Sequence, residues 1–400
     1  MPVDEARAHP RLATLDVMRG LVMAVMALDH VREFTNRSAM LGAPTDLSTT
    51  TTAVFFTRWV THICAPAFAM AAGLGAWLWI SRNRSTAGLT IFLVTRGLWL
   101  ALIEVTVMQV LYYLSWPSGV PVLLLVLWSL GCSMVVLAGL AWLPRPLVLM
   151  FAAAAMLLNP VLGSMGPPGS PGLDALLTIL SRGGLLKLGA TNVAVPYPLL
   201  PWAGVTALGY WIGPVLQSRR PGERLQLIGV VLIAAFVVLR SGNGYGDPSH
   251  WSRGGSHLWT VMSFLNVSKY PPSPAFLLVT LGAALLIFGT LERTSARARF
   301  LRPLATLGSV PLFFYLLHFL LAHVLATMVW FIRYGGAAGS FAFLPYPSLG
   351  GPAAAFPVDF GLPLWGTYCA WLAVLAAAYP ACRWYAEVKQ RSRRWWMRYI

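Results

Sequence analysis

Ten stretches of this chain are apolar for long enough to cross a lipid bilayer, and that feature restricts the fold more than any other. A membrane-crossing helix needs roughly 17 to 25 residues, and runs of this kind lie near 15–34, 53–80, 89–114, 120–143, 146–163, 199–216, 225–240, 274–291, 304–332 and 364–386. In hydrocarbon every backbone N–H and C=O must be paired within the protein, so such runs become helices. The sequence therefore predicts an all-α, polytopic integral membrane protein with about ten transmembrane helices and a single domain covering 1–400. Composition agrees. The chain is 57% hydrophobic and 10% charged, against about 25% charged for a soluble domain. Its mean hydropathy is +0.67. A short amphipathic piece at 173–186 is expected to lie on the membrane rather than cross it.

The formal charge of +16 is a topology signal and not a nucleic-acid surface, because the basic residues sit in short loops between apolar runs and not on one soluble face. With the N-terminus inside, alternate segments on the inner side hold Arg7, Arg11, Arg82, Arg84, Arg145, Arg219, Arg220, Arg224, Arg293, Arg297, Arg299, Arg302, Arg383, Lys389, Arg391, Arg393, Arg394 and Arg398. The outer segments hold only Arg37, Arg182, Lys187, Arg240, Arg253, Lys269 and Arg333. Both termini are cytoplasmic on this reading, and the long loops 35–52, 164–198, 241–273 and 333–363 face outward. The opening "MPVDEARAHPRLATLD" carries acids ahead of an apolar run of helix length, so the first helix is expected to stay rather than be cleaved as a signal peptide.

Several chemistries are disfavoured. Cys64, Cys132, Cys369 and Cys382 occur singly, without C-x-x-C spacing, which argues against disulfide frameworks and thiolate metal sites. Asp247, His250 and His257 in one outer loop lack metal-ligand spacing, and no metal is expected. There is no Gly-rich phosphate loop followed by Lys, so nucleotide triphosphate hydrolysis is not indicated.

The informative polar residues lie at the ends of the first helices. In "LDVMRGLVMAVMALDH" (15–30), Arg19 and His30 are eleven apart, which is three turns plus ~20° and a rise of ~16 Å. They share a face near opposite membrane surfaces, with Asp16 and Glu33 on the same stripe. Ordinary anchoring accounts for charges at both ends. Alignment of Asp16, Arg19, His30 and Glu33 on one stripe is not something anchoring requires. The second helix begins "FFTRWVTHICAPAF", where Arg58 and His62 are four apart and share a face, and Pro66 is expected to kink the helix beside them. Antiparallel connection brings Asp29, His30, Arg32, Arg58 and His62 together near the outer surface. Arg96 and Glu104 lie in the third helix, and a carboxylate near mid-bilayer needs a partner or a proton. His318 in the ninth helix reads either as a core hydrogen bond or as a site residue. Lys269 and Tyr270, before the Pro pair, are candidates for lining a donor or acceptor pocket.

These residues carry a resemblance. "LDVMRG" in the first helix, Pro66 to Gly73 in the second, "YPLLPWAGVTALGYWIG" at 197–213, "FLNVSKYPPS" at 264–273 and "VPLFFYLLHFL" at 310–320 together resemble the bacterial DUF1624 membrane proteins, grouped with the heparan-α-glucosaminide N-acetyltransferases. The Arg19 to His30 spacing is similar to the first-helix motif of acyltransferase family 3. Both resemblances imply transfer of an acetyl or other short acyl group from cytoplasmic acyl-CoA to an amino or hydroxyl group of a sugar or glycan beyond the membrane, in a bacterial inner membrane. Homo-oligomers are left open. The heparan enzymes place a catalytic His in the outer segment after the first helix, yet no His occurs here from Val31 to Thr61. His30, supported by Asp29, or His62 then takes the base role. Substrate binding falls to Arg19, Arg32, Arg58, Arg96, Glu104, Lys269, Tyr270 and His318. The competing class is a secondary transporter using intramembrane His, Glu and Arg as a proton relay, and a non-catalytic scaffold is a third.

The topology has a direct test. In a cysteine-free background, cysteines placed beside Arg219 and Arg297 are expected to react with an impermeant maleimide from the cytoplasmic side only. Cysteines in 35–52 and 241–273 are expected to react from outside, and labelling of the first pair from outside overturns the assignment.

Overall fold

The computed structural model describes residues 10–38, 42–114, 121–165, 171–189, 191–294, 299–349 and 351–392, with 394 and 397. Arg7, Arg297, Arg393 and Arg398 of the basic count lie outside the described residues, as does residue 120 at the start of one predicted run. In chain order the principal helices are α1 (Pro10–Thr35), α2 (Thr52–Asn83), α3 (Thr86–Tyr113), α4 (Val126–Leu140), α5 (Arg145–Leu157), α6 (Leu199–Gln217), α7 (Pro221–Gly242), α8 (His257–Leu265), α9 (Pro274–Arg293), α10 (Arg302–Ser309), α11 (Pro311–Tyr334) and α12 (Leu364–Arg391). Among the described residues, α2, α3, α6, α7, α9, α11 and α12 are long and apolar enough to cross a membrane. Helices α4 and α5 are apolar but shorter. Helix α1 carries Asp16, Arg19, Asp29, Arg32 and Glu33 within its 26 residues.

Helix starts follow local chemistry. Ser85 accepts from the Gly88 N–H at 3.0 Å and Ser273 from the Phe276 N–H at 3.0 Å, each taking up a donor that the first turn leaves open. Pro221, Pro274 and Pro311 open their helices, where a missing N–H costs nothing. Pro66 accounts for the break inside α2. It has no N–H for the His62 carbonyl, and the helix divides into Thr52–Thr61 and Cys64–Asn83 with a turn at His62 and Ile63.

Three predicted runs are corrected, and the amphipathic piece at 173–186 takes mixed structure. The run 120–143 is helical only from Val126. Before it, β1 (Val122–Leu123) runs parallel to β3 (Thr191–Val195), which pairs antiparallel with β2 (Gly184–Leu188). The piece at 173–186 is likewise part helix (Pro171–Leu177), part π-turn (Thr178–Arg182) and part β2, so the fold is helical with a small added sheet. The run 146–163 ends its main helix at Leu157 and resumes as Asn159–Ser164, with Pro160 in the first turn of that second piece. The run 304–332 divides at Pro311, because a proline inside it removes a ladder bond and starts a new helix more cheaply than it continues one.

Helix α1 sits centrally, packed on α2, α9, α10, α11 and α12. Its closest crossing is with α10. A Cβ at Gly20 would overlap the Leu304 carbonyl, and one at Gly308 would overlap the Asp16 carbonyl. Without a hydrophobic force between helices in lipid, such small-residue contacts let backbones approach and gain dispersion. Helices α7 and α9 use the same device, with Gly222 and Gly229 against Gly289 and Gly282.

Because the clash at Gly308 is with backbone, Gly308→Ala is expected to cost about 2 kcal/mol, within the usual range for overpacking, and to lower Tm in detergent. Gly139→Ala in α4, whose added Cβ meets nothing within 4 Å, is expected to leave Tm unchanged or raise it. Equal Tm for the two variants contradicts the packing.

Candidate functional site

Two cavities lie along α1. The larger, about 890 Å³, is lined by Asp29, His30, Arg32 and Glu33 of α1, by Arg58, His62 and Cys64 of α2, by 266–270, and by Tyr112 and Tyr315. The smaller, about 400 Å³, is lined by Arg19, Arg82, Arg96, Trp79 and Asn83 at polar positions and by Leu15, Met23, Leu78, Leu100 and Met134 at apolar ones. Met26, Phe68, Val126 and Tyr315 line both, and so form the wall between them.

In the larger cavity the anchoring element is Asp29. Its Oδ1 accepts from Arg32 Nη2 at 2.9 Å, one turn along α1, and its Oδ2 accepts from Arg58 Nη1 on α2. All three side chains are buried. A buried carboxylate between two guanidinium groups is compensated in charge and fixes the C-terminal part of α1 to the N-terminal part of α2. Arg32 Nε and Nη1 and His62 Nδ1 are buried without a hydrogen-bond partner. The turn at His62 points its imidazole at the same space that α1 supplies with His30.

The far wall is held by the loop after α7. Buried Arg240 donates to the carbonyls of Ser249, Phe264, Ser263 and Asn266 at 2.6 to 3.2 Å. Asp247 accepts from the Ser268 N–H at 2.8 Å and from Ser273 Oγ at 2.5 Å. This scaffold presents Lys269, whose ammonium stands 5.1 Å from the Tyr270 ring centroid and 5.9 Å from that of Tyr197. Tyr270 is exposed along one side; desolvation of its phenol by the cavity walls opposes ionisation, but the Lys269 and Arg58 charges outweigh it and hold it below its ordinary value. Asn266 also donates to the Thr45 carbonyl at 2.9 Å, joining this loop to the one after α1. From the other side, Ser348 donates to the Glu33 carbonyl at 2.7 Å.

The expected site residues therefore separate into groups. His30, Asp29, His62, Arg32, Arg58, Lys269 and Tyr270 share the larger cavity, and Arg19 and Arg96 share the smaller. Arg19 donates to Asp16 at 3.3 Å and to the Ala71 carbonyl at 3.4 Å, and Arg96 lies 5.5 Å from the Phe92 ring centroid. Glu104 borders neither cavity. It opens a π-turn in α3 and accepts from Tyr112 Oη at 2.9 Å and from the N–H groups of Leu127 and Trp128 at 2.7 and 3.2 Å. It is a cap for α4 supplied from another helix. Asp29 does not touch the His30 ring, because adjacent helical residues point about 100° apart. The partner of His30 is His318, with 2.8 Å between His30 Nδ1 and His318 Nε2. Tyr112, Tyr197 and Tyr315 were not singled out from sequence, since nothing local distinguishes them from membrane-belt aromatics. No group of three or more His, Cys, Asp or Glu with metal-holding geometry is found among the described residues. Asp247 is engaged with serines, and His250 and His257 are exposed.

No curated protein matches the chain. A family model does: the heparan-alpha-glucosaminide N-acetyltransferase catalytic model matches residues 11–243, and that span takes in α1, α2 and α3, which furnish Asp29, His30, Arg58 and His62 to the larger cavity and Arg19 and Arg96 to the smaller. With more than half of its 400 residues matched, the chain belongs to the heparan-α-glucosaminide N-acetyltransferase catalytic family.

Proposed function

We propose that this protein moves an acetyl or other short acyl group from cytoplasmic acyl-CoA to a hydroxyl or amino group of a sugar or glycan on the far side of the membrane. On this reading the chain has ten spans, namely α1, α4 and α5 together with the seven long apolar helices, both termini are cytoplasmic, and the membrane is a bacterial inner membrane. The observation that carries the proposal is the end-to-end arrangement of the two cavities along α1. One is cationic and apolar, the other holds two histidines, and a wall of only four side chains divides them.

The donor substrate suits the smaller cavity. Its guanidinium groups, Arg19, Arg82 and Arg96, match phosphates, and its Leu and Met lining matches an aliphatic pantetheine. Eleven residues of helix from Arg19 to His30 rise ~16 Å, a length comparable to the extended pantetheine arm. A donor anchored at Arg19 thus reaches past Met26, Phe68 and Tyr315 to the histidines. His30 takes the proton of the acceptor hydroxyl or amine, the nucleophile forms its bond to the acyl carbon, and the carbon–sulfur bond breaks. The thiolate then takes the proton back from His30. His62 and Tyr270, which border the same cavity, polarise the acyl oxygen on this reading, and Lys269, Arg32 and Arg58 give the cavity its positive field.

A transporter reading also makes use of a wall between two cavities, and chemistry separates the two. In purified protein given acetyl-CoA and candidate glycans, His30→Ala is expected to lower turnover ~10²-fold or more, as loss of a general base does, with donor affinity unchanged. Arg19→Ala is expected to weaken donor binding ~10-fold or more, the scale of a charged hydrogen bond, with turnover at saturation within a few-fold. Parental turnover in His30→Ala, with loss in His62→Ala, moves the base role to His62. Parental turnover in both removes the mechanism.

A further inference from the structure

His318 lies on α11, outside the segment matched by the family, and lines neither cavity. It is fully buried and stacks on Phe314 at 5.0 Å between centroids, with Phe319 at 4.9 Å. Two contacts fix its protons. His318 Nδ1 is 2.9 Å from the Phe314 carbonyl oxygen, which can only accept, so Nδ1 carries the hydrogen. Among the described residues no carboxylate forms an ion pair with His318, and its aromatic surroundings suit the neutral ring. Its Nε2 is then a lone pair, and the group 2.8 Å from it, His30 Nδ1, must be the donor. A neutral His30 with hydrogen on Nδ1 has its free lone pair on Nε2, the nitrogen away from His318.

We infer that His318 is the positioning residue for His30: a carbonyl-to-imidazole-to-imidazole chain, from Phe314 through His318, holds His30 in the tautomer whose Nε2 is the base. The inference rests on the assignment of His30 as the base, and deepens it. When Nε2 takes the acceptor's proton, His30 becomes an imidazolium whose Nδ1–H is already donated to His318 Nε2. When that proton passes to the departing thiolate, the starting tautomer is restored, and His318 neither gains nor loses a proton. The role usually given to a carboxylate beside a catalytic His is here filled by a neutral imidazole. The neighbouring carboxylate, Asp29, is occupied by Arg32 and Arg58.

Two substitutions and one spectrum test this. His318→Phe keeps the stacked ring but removes the acceptor; it is expected to lower kcat ~10²-fold or more, within the range for a misplaced tautomer, with KM for donor and Tm close to the parent. His318→Gln restores an acceptor near the Nε2 position and a donor for the Phe314 carbonyl, and is expected to stay within ~10-fold of the parent. Histidine-selective 15N NMR of the parent in lipid is expected to show hydrogen on His30 Nδ1, and the His318→Phe spectrum to show a shift toward Nε2. Parental kcat in His318→Phe while His30→Ala is inactive overturns the positioning role alone. A Gln variant as slow as the Phe variant overturns it too, as does a parent spectrum with hydrogen on His30 Nε2. Parental turnover in His30→Ala overturns both the base assignment and this inference.

Discussion

One carboxylate, Asp29, holds the larger cavity in shape. Buried in α1, it accepts from Arg32 of its own helix and from Arg58 of the next, so three charges are neutralised to one. Isolated buried charges are costly, and removing one member of a buried ion pair typically costs about 3–5 kcal/mol. The contact therefore locks the N-terminal part of α2 against α1. Everything else in the cavity follows from that lock: the turn forced by Pro66 lies next to it, so His62 faces the space beside His30, and the rim loops close over both. The Asp29 carboxylate thus pairs with the two guanidinium groups, and His30 pairs with His318.

A second layer of buried polar pairing supports the first. Glu104 caps α4 from α3, Gln109 donates to the Leu123 carbonyl at 2.9 Å and accepts from its N–H at 3.1 Å, and Arg240 gathers four carbonyls under the loop that presents Lys269 and Tyr270. In water these groups would be solvated at little cost, whereas in a membrane protein each unpaired one is expensive. The wall of Met26, Phe68, Val126 and Tyr315 is different in kind. It is built of apolar and aromatic side chains that border both cavities.

Much of this was legible in the sequence, because periodicity and spacing are local. Most of the long apolar runs are largely helical, Arg58 and His62 border one cavity with Asp29 and His30, a turn stands at His62 four residues before Pro66, and Lys269 and Tyr270 border that same cavity. What was not legible depends on partners far along the chain. His318 is 288 residues from His30, and no spacing rule connects them. Asp29 was assigned to His30 by adjacency, when helical geometry sends neighbours in different directions. Glu104 looked like a site residue because an intramembrane carboxylate usually marks one, and its actual partners, Tyr112 and two N–H groups at the start of α4, are visible only once α3 and α4 are packed. The strands at Val122–Leu123 and Gly184–Leu188 are apolar enough to pass for helix ends, and only their pairing with Thr191–Val195 separates the alternatives.

The central claim is that the acyl group crosses the membrane inside this protein, from the Arg19 side to the His30 side. The most direct measurement uses purified protein in sealed vesicles of known orientation, with acetyl-labelled acyl-CoA on one side and a glycan acceptor confined to the other. The account predicts labelled acceptor when the donor is on the Arg19 side and none when donor and acceptor are exchanged. Labelling that requires donor and acceptor on the same side, or passage of unmodified solute with no acyl transfer, would contradict it.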